Sequence, residues 1–409
     1  MTNTRVRSWL ANVAVLLATV SLGLAGIEVF LGRYHPVAAA AYRTDDRLLY
    51  ELIPGSRRLF RPEPANGGPV LVRVDDRGYR GTGVSQSKRG PRVVVFGDSF
   101  VEAEFSPLEQ TFVARLGDEL RQVTGLANLE TINAGVAGYG PDQAALRMER
   151  DVEPLAPDLV VFCVFSGNDF GDLVRNRLFR LGNDGELVDN HPVLGDELQK
   201  SFDDARLQGR RPALVRTAEA AWSQWNAPPP KTSFPHYIDE SLEKRRTEYS
   251  DFVERGSNVV ENLLWDGYDA DIALEPRSPS ARFKASLMSG LLARVRHTAK
   301  THGVPLLLVV IPEVIDVGAA YEIQVDRARY PEYDPRRLTG LLVGAADRLS
   351  IPCVDLYEPL TEVNGERFYF RYGDNHWNSN GQAKAAMVVA RSIATMGLHW
   401  PSPVMTASR

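Results

Sequence analysis

Five short segments spaced along the chain are almost unbroken apolar runs, and helical patterns separate them. Arg92 to Phe96, Leu129 to Ile132, Leu159 to Phe165, Leu306 to Ile311 and Ile351 to Leu356 each read as a strand. Runs without alternation fit strands buried on both faces. Between them, Phe112, Val113, Leu116 and Leu120 share one helix face that stops near Gly125. Pro141 opens a second helix, and Phe283, Leu287, Leu291 and Val295 line a third, ended by Gly303. Asp334-Pro335 opens another, and a last helix runs from about Gln382 to Thr395. Ser106-Pro107-Leu108-Glu109 reads as a capping box, with proline at the first position of the Phe112 helix. This alternation predicts an α/β fold, one parallel sheet with helices on both faces. In such sheets ligands gather outside the carboxyl ends of the strands.

The N-terminus follows a different rule. Arg5 and Arg7 precede a run from Trp9 to Leu31 whose only strongly polar members are Asn12 and Glu28. That is about the twenty residues a helix needs to cross a bilayer core. The run is apolar all round, unlike the amphipathic helix of a soluble core. A cleaved signal peptide could use the small residues Ala38 to Ala41, but these lie far beyond the apolar stretch. The expectation is a single-pass anchor with a cytoplasmic N-terminus, set by its basic flank, and the rest of the chain periplasmic or extracellular.

Composition narrows the partners. A formal net charge of -5 and the lack of a basic stripe argue against nucleic acid. Cys163 and Cys353 fall in separate expected strands and read as buried free thiols rather than a disulfide. No metal-ligand spacing and no phosphate loop stand out, so neither metal nor cofactor is expected. From about Arg175 to Ser280 the strand–helix rhythm lapses into a polar, partly helical stretch containing Trp222, Trp225 and Pro228-Pro229-Pro230. It reads as an inserted cap.

Three expected strand ends carry groups that suit acyl transfer: Ser99 in Gly97-Asp98-Ser99-Phe100, Gly138 in the Asn133 to Gly140 segment, and Asn168 in Ser166-Gly167-Asn168-Asp169. A serine hydroxyl is a weak nucleophile until a base takes its proton. His376 is the candidate base, with Asp374 two residues earlier to orient it and stabilise its cation. The backbone N–H groups of Ser99 and Gly138 and the carboxamide of Asn168 could form an oxyanion hole. Gly138 could equally be a turn glycine, and Asn168 a local cap. Asp98 is expected to brace the turn through nearby N–H groups. Trp222, Trp225 and Trp377 could stack on a sugar or simply pack.

Gly97-Asp98-Ser99, Asn133-Ala134-Gly135-Val136-Ala137-Gly138, Gly167-Asn168-Asp169 and Asp374-Asn375-His376 resemble, in order, the four sequence blocks of the SGNH (GDSL-type) hydrolases. The likeness runs from about Arg92 to Gly397. The last block is Asp-x-His followed by Trp377, where the common pattern is Asp-x-x-His; this form resembles the SGNH-like domains of alginate O-acetyltransferases. The resemblance implies a flavodoxin-like three-layer α/β/α fold with a central five-stranded sheet. It implies a catalytic Ser99, Asp374 and His376, and oxyanion donors at Ser99, Gly138 and Asn168. The expected organisation is cytoplasmic tip and anchor (1–33), a linker with small strands (34–90), and an SGNH-like domain (91–409) with its cap at about 175–280.

The leading expectation is an extracytoplasmic serine esterase acting on acyl, plausibly acetyl, esters of an envelope carbohydrate or lipid. An O-acyltransferase using the same residues, fed by a membrane acyl-donor protein, and a non-catalytic binding module are the alternatives.

Overall fold

The computed structural model describes residues 3–37, 39–62, 66–85, 88–229, 231, 233–263, 267–361 and 364–400. Ala38, Pro230 and residues 401–409, which belong to segments singled out above, lie outside the described residues.

The central sheet is formed by β1 (Arg92–Gly97), β2 (Glu130–Gly135), β3 (Leu159–Phe165), β4 (Leu306–Ile311) and β5 (Cys353–Asp355). They lie in the order β5-β4-β3-β1-β2, all parallel. Every residue of β1, β3 and β4, the inner strands, is buried, which is why their sequences carry no alternation. The edge strands β2 and β5 are only partly covered. The strand order reverses between β1 and β3, and there the loops after neighbouring strands diverge and leave a crevice.

Helices cover the sheet in two groups. The helix Phe112–Thr124 packs on the last helix, Ser379–Thr395; on the other side Pro141–Leu155, Pro279–Thr301 and Arg337–Arg348 pack in series. The fold is therefore the expected three-layer α/β/α arrangement.

Element boundaries depart from expectation where local hydrogen bonding overrides pattern. The Phe112 helix is capped by Thr111, whose hydroxyl oxygen accepts from the Ala114 N–H at 3.3 Å, and not by Ser106. Leu108–Gln110 is a separate single 3-10 turn, and the extended Thr111 backbone ends it. The Asp334 carboxylate accepts from the Arg336 N–H at 3.0 Å, making a local turn that delays that helix to Arg337. β2 runs on to Gly135 because it pairs with β1 along its whole length, Gly97 opposite Gly135.

Asn3–Tyr34 forms one continuous helix, and the most apolar window of its span Arg5–Tyr34 has mean hydropathy 2.2 and is nowhere buried. It is not a core helix of the folded body. Two small hairpins follow, Tyr42–Asp45 with Leu49–Leu52 and Arg57–Phe60 with Val70–Arg73. Between β3 and β4 the chain forms short strands and the helices Asp196–Gly209, Ala213–Trp225 and Tyr237–Tyr249.

Candidate active site

Asp98 caps a single helical turn, Ser99–Glu102, directly after β1, its carboxylate accepting from the Phe100 N–H at 2.9 Å. The turn folds back over two strand ends. A Cβ on Gly97 would stand 2.6 Å from Val101 Cγ2, and one on Gly135 would stand 2.4 Å from the Glu102 nitrogen. Glycine at both positions is what lets the serine turn settle so low. Asn133 fastens it, donating to the Val101 carbonyl at 2.6 Å while its own oxygen accepts from the Gly135 N–H.

The loop before the last helix brings His376 to the serine. Ser99 Oγ lies 2.7 Å from His376 Nε2, and His376 Nδ1 lies 2.9 Å from Asp374 Oδ1. The same Asp374 oxygen accepts from the His376 backbone N–H at 3.0 Å. The two-residue spacing thus closes a tight turn in which one carboxylate oxygen serves both the backbone and the ring. With Nδ1–H donated to Asp374, the Nε2 lone pair faces the serine hydroxyl. The imidazole stacks on Phe100 and Phe105, with ring centroids 5.1 and 4.1 Å away. Burial pulls its pKa down, but the Asp374 bond and charge, with Asp98 and Glu104 nearby, outweigh this and hold it above the ordinary histidine value.

The loop is gripped from several directions. Asn375 donates to Glu313 Oε2 at 2.9 Å. Burial raises the Glu313 carboxyl to about 7, against the lowering effect of its hydrogen bonds to Asn375 and backbone N–H groups. Asn66 exchanges two hydrogen bonds with the Arg371 backbone, both 3.0 Å, and the Phe234 ring lies against Gly373.

Gly138 and Asn168 follow the ends of β2 and β3. Gly138 has φ +78, the left-handed region, so it is a turn glycine by conformation. Its surroundings nevertheless fix its peptide plane: the Tyr50 hydroxyl donates to the Ala137 carbonyl at 2.8 Å. Across a trans peptide the Gly138 N–H points opposite to that carbonyl. Arg175 donates to the Gly138 carbonyl at 3.1 Å, and the Ala137 N–H donates to buried Glu102 at 2.7 Å. Asn168 stands at the N-terminus of the helix Asp169–Asn176, yet its side chain makes no capping bond, and its Oδ1 is buried with no hydrogen-bond partner.

Tyr50, Arg58, Glu102 and Arg175 belong to no motif. Arg58 joins Glu102 at 2.6 Å and also pairs with Glu104, which ties the second N-terminal hairpin to the serine turn. Trp377 is fully buried against Phe100 and Phe112, a packing residue. Among the described residues no group of three His, Cys, Asp or Glu is placed to hold a metal ion. A cleft of about 660 Å³ runs along the edge at β2 past Arg80 and Thr131, and Ser99 does not line it.

Residues 270–402, which include Asp374 and His376, match a family model described as the SGNH hydrolase-like domain of the acetyltransferase AlgX. The match covers about a third of the chain and does not include Ser99. No curated protein sequence matches the chain. Solved structures similar to this chain include the acetyl xylan esterase AlAXEase, at 14% identity over 74% of this chain and 99% of that one, with TM-score 0.37. A catalytic mutant of the acetylxylan esterase Axe2 from Geobacillus stearothermophilus is 12% identical over 76% and 96%, TM-score 0.38. A GDSL-like lipase from Bacteroides thetaiotaomicron is 14% identical over 76% and 92%, TM-score 0.32.

Proposed function

We propose that this chain is a membrane-tethered, serine-dependent acyl-ester enzyme of the cell envelope. The observation that carries the reading is the continuous hydrogen-bonded line from Ser99 Oγ through His376 to Asp374. His376 Nε2 takes the serine proton as Oγ attacks the acyl carbonyl, and Asp374 stabilises the imidazolium. The oxyanion that forms is met by the N–H groups of Ser99 and Gly138 and the carboxamide of Asn168. Collapse breaks the ester bond, His376 returns the proton to the leaving alkoxide, and the acyl group stays on Ser99. A second hydroxyl compound then gives its proton to His376, attacks the acyl-serine and regenerates Ser99.

If that compound is water, the enzyme is an esterase, acting on acetyl groups of an envelope carbohydrate or lipid. One observation favours the other reading, transfer to a sugar hydroxyl: the matched family model is named for an acetyltransferase. A membrane protein would then supply the acyl donor. Under either reading the helix Asn3–Tyr34 spans the bilayer with a cytoplasmic N-terminus, and Ser99 works on the far side.

The test is turnover of p-nitrophenyl acetate by the full-length protein, with Ser99→Ala and His376→Ala beside it. Each variant should lose about 10⁴-fold or more in kcat, and to a similar extent, because the pair acts as a unit. Equal activity in wild type and Ser99→Ala would overturn the serine mechanism. Release that accelerates only with an oligosaccharide acceptor, with acetylated sugar as product, selects the transferase.

A further inference from the structure

The helix Ala213–Trp225 is built inside out. Its protein-facing side carries Ala213, Arg216, Ala220 and Gln224. Ala213 and Arg216 are buried; Arg216 donates to the Val37 carbonyl at 2.6 Å, and Gln224 accepts from Arg61 at 3.0 Å. Its opposite side exposes Leu214, Ala218, Ala221, Trp222 and Trp225, a stripe at the spacing of one helix face. Trp222 is 73% exposed and Trp225 87%. A water-facing helix normally turns its large apolar side chains inward and its polar ones outward.

The docking partner of this helix explains the inversion. Glu28, inside the apolar N-terminal helix, accepts from the Ala213 N–H at 2.5 Å and the Leu214 N–H at 3.0 Å. A carboxylate there satisfies two of the free N–H groups at a helix start and sits at the positive end of its dipole. Gly32, one turn further on, lies beside Ala213. Glu28 precedes the end of the long helix at Tyr34 by about 9 Å at 1.5 Å per residue. A 30-residue span of about 45 Å outlasts a hydrocarbon core of about 30 Å. Read as a bilayer span, it therefore has room for its last two turns at headgroup depth. The start of the Trp-bearing helix is held at that same depth, with exposed Arg210 and Arg211 just before it.

We propose that Ala213–Trp225 is a second membrane contact, lying in the outer interface with Leu214, Trp222 and Trp225 inserted among the lipids. The inference rests on reading Asn3–Tyr34 as a bilayer anchor. Tryptophan is the side chain that interface favours, an apolar ring system with one N–H donor for the wet side. A single spanning helix leaves a domain free to swivel and tilt. A second contact beside it fixes the face that the domain turns to the membrane, and so the height at which Ser99 meets its substrate.

The test uses the full-length protein in nanodiscs of phosphatidylcholine brominated at the 6,7 positions, in a Trp9→Phe background that removes the tryptophan of the anchor. Tryptophan emission should be quenched relative to unbrominated discs, and Trp222→Phe with Trp225→Phe should abolish most of that quenching. The double variant should keep wild-type turnover of p-nitrophenyl acetate, which shows that it folds. Quenching unchanged by the double substitution, or ready quenching of Trp222 and Trp225 by aqueous iodide in the discs, overturns the proposal; the stripe would then be a docking face for another protein. Flotation of the wild type with alkali-washed vesicles tests the anchor separately. A chain that floats without Trp222 and Trp225 quenching keeps its anchor and loses this contact, and a chain that does not float loses both.

Discussion

Tyr50 shows how a residue with no place in any motif can govern the proposed chemistry. Its hydroxyl holds the Ala137 carbonyl and so directs the Gly138 N–H. Its ring is buried, edge-on to Tyr42 and Tyr139, so Tyr50→Phe keeps the packing and removes the bond to Ala137. On the proposed mechanism that loss is felt mainly in the transition state. A hydrogen bond worth about 1 kcal/mol corresponds to roughly a fivefold fall in kcat, with KM little changed. Steady-state kinetics on p-nitrophenyl acetate checks this; an unchanged kcat would remove Tyr50 from the argument. Glu104 acts on the other end of the triad. The base must be neutral to accept the serine proton, and His376 is held above the ordinary histidine value, in part by the Glu104 charge. On the proposed mechanism the acid limb of kcat/KM should therefore lie above that of a free imidazole. Glu104→Gln removes a negative charge, lowers the His376 pKa and moves the limb to lower pH. A limb that stays put or climbs in the measured pH–rate profile would contradict the assignment.

At the scale of elements, the helix Pro279–Thr301 carries a lysine where an apolar face is expected. Lys284 is fully buried, donating to both Asp271 oxygens at 2.9 and 2.8 Å, with Asp269 at 3.6 Å. Asp269 in turn accepts from the Gly171 N–H at 3.0 Å, and its own N–H donates to the Gly167 carbonyl at 2.7 Å. Arg245, from the segment between β3 and β4, lies 3.3 Å from the same carboxylate. The charged cluster thus clamps the turn that carries Asn168. Lys284→Met leaves buried carboxylates short of a cation and should cost about 3–5 kcal/mol, read from urea denaturation. Adding Asp271→Leu should recover part of the loss, and a double variant weaker than the single would argue against the pair. None of this cluster was visible in the chain's pattern, because its members come from different elements and an isolated Lys or Asp reads as solvated. The inner strands were legible because burial on both faces leaves an unbroken apolar run that needs no partner to be recognised. The serine turn was legible for a similar reason, since Gly97 and Gly135 answer to close packing over the strand ends. The cap at Thr111 was not, because Ser106 and Thr111 offer the same kind of hydroxyl and only the 3-10 turn between them decides. Likewise the hairpins before β1, which read as linker, brace the Gly138 loop through Tyr50 and the serine turn through Arg58, contacts that leave no local signature.

The whole molecule sets a last constraint through its sheet. Cys163 on β3 and Cys353 on β5 flank the same strand, opposite Val309 and Leu308 of β4. Two strand spacings separate their backbones by about 9.5 Å, beyond the roughly 7 Å that a disulfide can bridge. Both are therefore free thiols, even in the oxidising compartment proposed for this part of the chain. Burial, with the Asp98 and Asp169 charges, pushes the Cys163 thiol well up, and burial pushes Cys353 up to about 12. Thiolate, the reactive form, is scarce at both. Native protein prepared from membranes without reductant should react slowly with maleimide and take up two equivalents per chain once unfolded in guanidinium, counted by mass. Replacing both with alanine should leave ester turnover unchanged, since neither touches the Ser99–His376–Asp374 line. Unfolded protein that takes up no label until reductant is added would mean the two sulfurs are bonded. That result would move β3 or β5 out of its position beside β4, and with β3 the turn that carries Asn168.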